Sequence, residues 1–270
     1  MSIRSLGNPS VRYDAVMSKT ASGGHQPTIV GLDDVGAYST SGLILDVDAT
    51  KSSSYGGSGT TWTNIASGGG ANFTISGATY DASEGNGSFL FDGSNDIASS
   101  ASDYNLSSYN YIFVDISFKA SNTTQVHMLF EHSQNWNSNT GGFGAAVHTD
   151  GDSADANAHH SNHNGGAIGN WDYTVDTGWA VYGCQFAQAG SNTRKQYMNG
   201  QIVNFTTGNA YMSPGSSFGN HPFYIGSRYD AVAPAAGYIG YCRVYGSASE
   251  FSASTISDNF DVIKNRYGLS

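Results

Sequence analysis

The chain of 270 residues carries 35 Gly but 5 Pro, and only 12% of its residues are charged, which excludes a salt-bridge-laced helical protein and suits many turns between short strands. Aromatics at 13% and hydrophobics at 39% suffice for a substantial core and exclude disorder of the whole chain. With 11 Lys plus Arg and a formal charge of −10, nucleic acid is not an expected partner, and no run approaches the length of a membrane span.

Residues 1–40 lack a sustained period of either 2 or 3.6 and are expected to form an extended N-terminal arm, with Arg4, Arg12 and Tyr13 as anchoring side chains. Fixing each residue costs on the order of 1 kcal/mol or more. Such an arm is therefore expected to order on a neighbouring subunit or a larger particle; the alternative is an arm folded back on its own domain. The opening MSIRSLGNPSVRYDAVMSKT holds no apolar core of signal-peptide length, which predicts a protein made in a cytosol, or exported by a route the sequence does not show.

Residues 41–270 read as one all-β domain. GLILDVDA alternates Leu43, Leu45 and Val47 against Ile44, Asp46 and Asp48. TWTNIA, ANFTISG and SFLFDG follow as short runs bounded by Gly, Asn or Ser. In SFLFDGSNDIA, Asp92 and Asp96 flank a glycine turn; turn capping and a calcium site both suit carboxylates placed there. YIFVDISFKA puts Ile112, Val114, Ile116 and Phe118 on one face, and the next run does the same with Val126, Met128 and Phe130.

The polar stretch around His148, Asp150, Asp152, Asp155, His159, His160 and His163 is the most metal-like. His160 and His163 are candidate zinc or nickel ligands, and a solvated or interface loop is the other reading. Trp136, Trp171 and Tyr173 lie in or beside loops and, with the same histidines His159, His160 and His163, are candidates for contact with a sugar or a partner protein; Trp62 and Trp179 read as core. Asn199-Gly200 between apolar flanks predicts a hairpin. Cys184 and Cys242 fall in strand-like runs and are expected as reduced core thiols. The single helix lies at the end, in FSASTISDNFDVIKNRYG, with Ser252 as N-cap, a Phe251–Ile256 staple, an apolar face of Ile256, Phe260 and Ile263, and Gly268 as C-cap.

TWTNIASGGGANFTISGATYDASEGNGSFLFDGSNDIA, QYMNGQIV and GYIGYCRVYG followed by the helix ending in RYG carry a resemblance. Together with GLILDVDA they resemble the concanavalin A-like (laminin G-like) jelly-roll domains found in many virion proteins of tailed phages. The resemblance implies a jelly-roll β-sandwich with an extended N-terminal arm and a short C-terminal helix. It implies a non-enzymatic virion structural protein: a capsid decoration or cement protein, located on the capsid exterior or the tail after synthesis in a host cytoplasm. Its partners would be the major capsid protein or other virion proteins, further copies of itself, and host surface glycans. A tail or fibre component or a glycan-binding adhesion module is the alternative, and a glycoside hydrolase is the remote one. Laminarinase-like members of the fold carry Glu-x-Asp-x-x-Glu on one strand, with both carboxylates toward the sugar. Here Glu84, Glu131 and Glu250 are far apart, and Asp115 in YIFVDISF has no Glu beside it, so no catalytic residue is assigned. No cofactor is expected beyond calcium at Asp92 and Asp96.

Overall fold

The computed structural model describes residues 38–134, 141–147, 177–188, 195–203, 217–229 and 231–270, together with the strand backbones of Asp155–His160 and Ala167–Asp172. The β-branched and aromatic runs form strands. In chain order these are β1 (Leu43–Asp48), β2 (Thr61–Trp62), β3 (Phe73–Ser76), β4 (Thr79–Asp81), β5 (Ser88–Asp92), β6 (Ile97–Ser100), β7 (Tyr104–Asn105), β8 (Tyr111–Ala120) and β9 (His127–His132). They continue with β10 (Phe143–Val147), β11 (Asp155–His160), β12 (Ala167–Asp172), β13 (Trp179–Ala187), β14 (Lys195–Met198), β15 (Gln201–Val203), β16 (Asn220–His221), β17 (Phe223–Ile225) and β18 (Ala236–Ser247).

All pair antiparallel: one sheet is ordered β15-β14-β13-β8-β18-β5-β4, with β1 also on β18, a second is ordered β12-β11-β10-β9-β17-β6-β3-β2, and β7 and β16 form a separate two-stranded ladder. The long β18 makes this possible by dividing one of its edges: Ala236–Ile239 pairs β5, and beyond an irregularity after Ile239 the residues Tyr241–Tyr245 pair β1. The fold is thus the expected all-β sandwich.

Between the sheets lies a core in which Ile112, Val114, Ile116 and Phe118 of β8 meet Trp62, Phe73, Phe89, Phe130, Phe143 and Phe223. Alternation holds on β8, since Phe113 packs in a separate cluster on the opposite face with Tyr197, Tyr245 and Ile256. On β9 it fails. The pairing with β10 shifts between Phe130 and Met128, so Leu129 and Phe130 both enter the core while Met128 leaves it. The expected shared face of Val126, Met128 and Phe130 is therefore broken by a β-bulge, which inserts one residue and reverses the side-chain phase.

Asn199 and Gly200 both have positive φ, 51° and 73°, as a two-residue type I′ hairpin requires. A Cβ on Gly200 would stand 2.8 Å from Phe260, so the tight turn also lets the helix approach. That helix, α1 (Ala253–Ile263), starts where Ser252 Oγ accepts from Thr255 N at 3.1 Å, and Gly268 closes the following 3-10 turn Lys264–Tyr267 at φ 67°. Phe251 and Ile256 share one apolar cluster, and Phe260 and Ile263 another with Val181 and Tyr241, so the helix covers the outer face of the first sheet. Trp62 is core, whereas Trp179 is half-buried and donates from Nε1 to Glu84 at 2.7 Å.

Cys184 and Cys242 are both buried and free. β8 runs between their strands, with Val114 opposite Cys184 and Ile116 opposite Cys242. Two strand spacings amount to about 9–10 Å, beyond the reach of a disulfide.

Most of the 1–40 segment lies outside the described residues, Arg4, Arg12 and Tyr13 included. Its last residues rest on the chain's own sandwich: Ser39 N donates to Asn259 Oδ1 at 2.8 Å, and the Tyr38 ring lies on Arg243, 3.7 Å from its guanidinium carbon.

Candidate functional site

The carboxylates come first, because paired acids would define a hydrolase. Asp46 and Asp48 point away from the core on β1, yet both are buried beneath the helix side of the sheet. Arg243 of β18 reaches them: Nε donates to Asp46 Oδ1 at 3.3 Å, and Nη2 lies 3.5 Å from Asp48 Oδ2. Arg266 donates from Nη1 to both oxygens of Asp48, at 3.1 and 3.0 Å. Burial pushes the Asp48 pKa up, but Arg266 and Arg243 outweigh it and hold the carboxyl below its ordinary range.

Asp115 stands on the same face, accepts from Tyr241 Oη at 3.0 Å, and is pushed up to about 6 by burial, with Arg243 opposing. The folded form thus binds a proton more tightly than the unfolded one. Between about pH 4 and 6 the folded state holds more protons, so this residue's contribution falls as pH rises through that window. Asp115→Asn is expected to gain stability at pH 7 by up to about 3 kcal/mol and to lose that advantage below about pH 4. Urea unfolding at the two pH values checks it. These acids form a buried ionic cluster that helps pin the helix.

The glutamates are dispersed. Glu84 accepts from Lys119 Nζ at 2.9 Å, Glu250 pairs with Lys195, and Glu131 is fully buried on the other sheet, accepting from Ser133 Oγ and from Tyr229 N at 2.9 Å. Asp92 and Asp96 are both engaged with turn amides: Asp92 Oδ1 accepts from Ser94 N and Asp96 Oδ2 from Asp92 N, each at 2.7 Å. That geometry favours turn capping over the calcium reading. Among the described residues, no group of three His, Cys, Asp or Glu gathers to hold a metal.

His148, Asp150, Asp152, His163, Trp136 and Tyr173 lie outside the described residues. Asp155, His159, His160 and Trp171 are placed as backbone only, on β11 and β12. Those strands form one edge of the second sheet, at the far end from β2 and β3.

The open concavity lies at the β2–β3 end. It is a depression of about 730 Å³ lined by Gly42–Ile44, Gly68–Ala71, Ser102–Leu106 and Tyr109, within the size range of small-ligand sites. Asn64, two residues beyond the core Trp62, ties its walls together. Its Oδ1 accepts from Asp46 N at 2.9 Å and Ala66 N at 3.0 Å; its Nδ2 donates to Ile44 O at 3.1 Å and Tyr104 Oη at 3.3 Å. Tyr104 is buried and donates to Ala71 O at 2.6 Å. Burial, above all, holds its phenol well above the usual pKa, so it stays neutral. Behind it His132, pushed down to about 3 by burial, is neutral and donates from Nε2 to Tyr104 O at 3.0 Å.

Gly70 is required here, because a Cβ would fall 2.6 Å from the Tyr104 ring. Tyr109 is half-buried; its ring lies against Gly246, where a Cβ would come within 2.5 Å, and Gln188 Nε2 donates to its carbonyl at 2.6 Å. Ser102, Asp103 and Asn105 are exposed along the rim. Asp103, Asn105 and Tyr109 are not among the candidates named from the sequence; their one sequence signal is an aromatic next to Asx residues in SSASDYNLSSYN.

No protein-family model matches the sequence, and no curated protein matches it. Solved structures show the fold. Domain 4 of AbnA, an extracellular arabinanase from Geobacillus stearothermophilus solved with arabinotriose, is similar with a TM-score of 0.59 at 15% identity, covering 80% of this chain and 97% of that one. A Trypanosoma rangeli sialidase in complex with sialic acid gives 0.53 at 14% identity over 84% of this chain and 34% of that one. The receptor-binding domain of botulinum neurotoxin type G gives 0.55 at 12%, over 85% and 54%. The chain therefore spans nearly all of the arabinanase domain but about a third of the sialidase. The class these likenesses define is that of the fold, an all-β sandwich.

The expected capsid decoration or cement protein is corrected by these neighbours. They are domains of carbohydrate enzymes and a receptor-binding domain, two of them solved with sugars, and nothing in them points to a phage virion. Tyr38 and Ser39, at the end of the expected arm, contact the chain's own sandwich, and the rest of the arm lies outside the described residues.

Proposed function

We propose that the chain is a glycan-binding module that carries out no chemistry of its own. The depression at the β2–β3 end carries this reading. A positioned tyrosine ring, Tyr109, offers a face for sugar C–H groups, while Asp103 and Asn105 on the rim offer polar atoms to hydroxyls. Hydrolysis of a glycosidic bond generally takes two carboxyl groups flanking it. The depression is lined by one, Asp103. The likeness to a domain solved with arabinotriose supports the same class of ligand.

Tyr109→Ala is expected to weaken oligosaccharide binding at least 10-fold, about 1.4 kcal/mol or more, in a variant that is less stable, because the half-buried ring packs on the core, but still unfolds cooperatively. Calorimetric titration and a glycan array at millimolar sugar check it. An array without a hit for the native chain, or release of reducing sugar from the bound glycan, overturns the proposal.

A further inference from the structure

Resting on that reading, we infer that the depression selects uncharged saccharides and rejects glycans bearing carboxylate or sulfate. The lining supplies Asp103 and no Lys, Arg or His. An ionised carboxylate accepts hydrogen bonds and cannot donate them. Toward Asp103 a ligand must therefore turn donors, which sugar hydroxyls are; an acidic sugar brings hydroxyls too, but its carboxylate adds an acceptor-only anion beside this one. An acidic sugar seated there sets two acceptor-only anions against each other.

The rest of the described molecule offers such a glycan little relief. Lys51, Lys119, Lys195, Arg243, Lys264 and Arg266 each already pair with a carboxylate of this chain, and the remaining described cation, Arg228 between β17 and β18, is not in the lining. Recruiting any of them would draw it away from a carboxylate it now faces, and for the fully buried Arg243 that carboxylate is itself buried. The formal charge of −10 adds repulsion at longer range.

The test is calorimetric titration of the full chain with matched pairs: lactose against 3′-sialyllactose, and arabinotriose against trigalacturonic acid, each at 20 and 300 mM NaCl. The neutral member is expected to bind at least 10-fold tighter at low salt, with the ratio shrinking at high salt. Asp103→Asn is expected to narrow the low-salt ratio at least 3-fold, with an unchanged unfolding midpoint. Equal or tighter binding of the acidic members overturns the inference while leaving glycan binding intact. Failure of every sugar to bind at millimolar concentration, together with an empty array, overturns both.

Discussion

Arg243→Ala is expected to lower the unfolding free energy by about 3–5 kcal/mol, the range found when one member of a buried ion pair is removed. The guanidinium is fully buried between the Tyr38 and Tyr241 rings, 3.7 and 4.5 Å from their centroids, and faces Asp46 and Asp48. Removing it leaves Asp48 with Arg266 at 3.0 Å, but leaves Asp46 with Lys51 at 3.9 Å and the Tyr38 hydroxyl. Asp46 is then the more costly survivor. Adding Asp46→Asn to Arg243→Ala is expected to recover at least about 1 kcal/mol, since it removes the stranded charge. Urea denaturation of the two variants measures both quantities. A double variant less stable than the single one would show that Asp46 is not the strained partner. The cluster also sets acid sensitivity: the depressed Asp48 contributes stability above its ordinary pKa and loses it as pH falls through its folded value, opposite in sign to Asp115.

Trp62→Ala should cost a similar amount, about 3–5 kcal/mol, through lost burial and the cavity left behind. Trp62 is fully buried and packs edge-on against Phe89 with ring centroids 4.8 Å apart. Its indole Nε1 has no acceptor among the described residues. Trp62→Phe removes that unsatisfied donor while keeping most of the apolar surface, so it should cost less than half as much as the alanine variant. Thermal and urea unfolding of the two variants separate the terms. An equal loss in both would mean that the indole N–H matters more than its lack of a partner implies.

Much of the fold was legible because it depends on neighbours only a few residues away. The period of β8, the two positive φ angles of Asn199-Gly200, the Ser252 cap and the Gly268 terminus are local choices of side-chain phase and backbone angle. The same locality explains the reading of Asp92 and Asp96, whose bonds stay within the turn. The depression was not legible. Its walls come from the stretches around residues 42–44, 68–71 and 102–109, and chain order says nothing about which loops a sandwich brings to one end.

By itself, then, the sequence determined the strands, the hairpin, the helix and the all-β class, because hydrophobic period and turn chemistry act over a few residues. Only the tertiary structure decided that the outward aspartates of β1 would be buried, since their partner Arg243 lies 197 residues from Asp46. It also decided that a bulge would turn Leu129 inward, and that Asp103 and Tyr109 would meet the glycine floor of one depression. Those outcomes come from long-range packing, where the energy lies in contacts between segments that the linear order keeps apart.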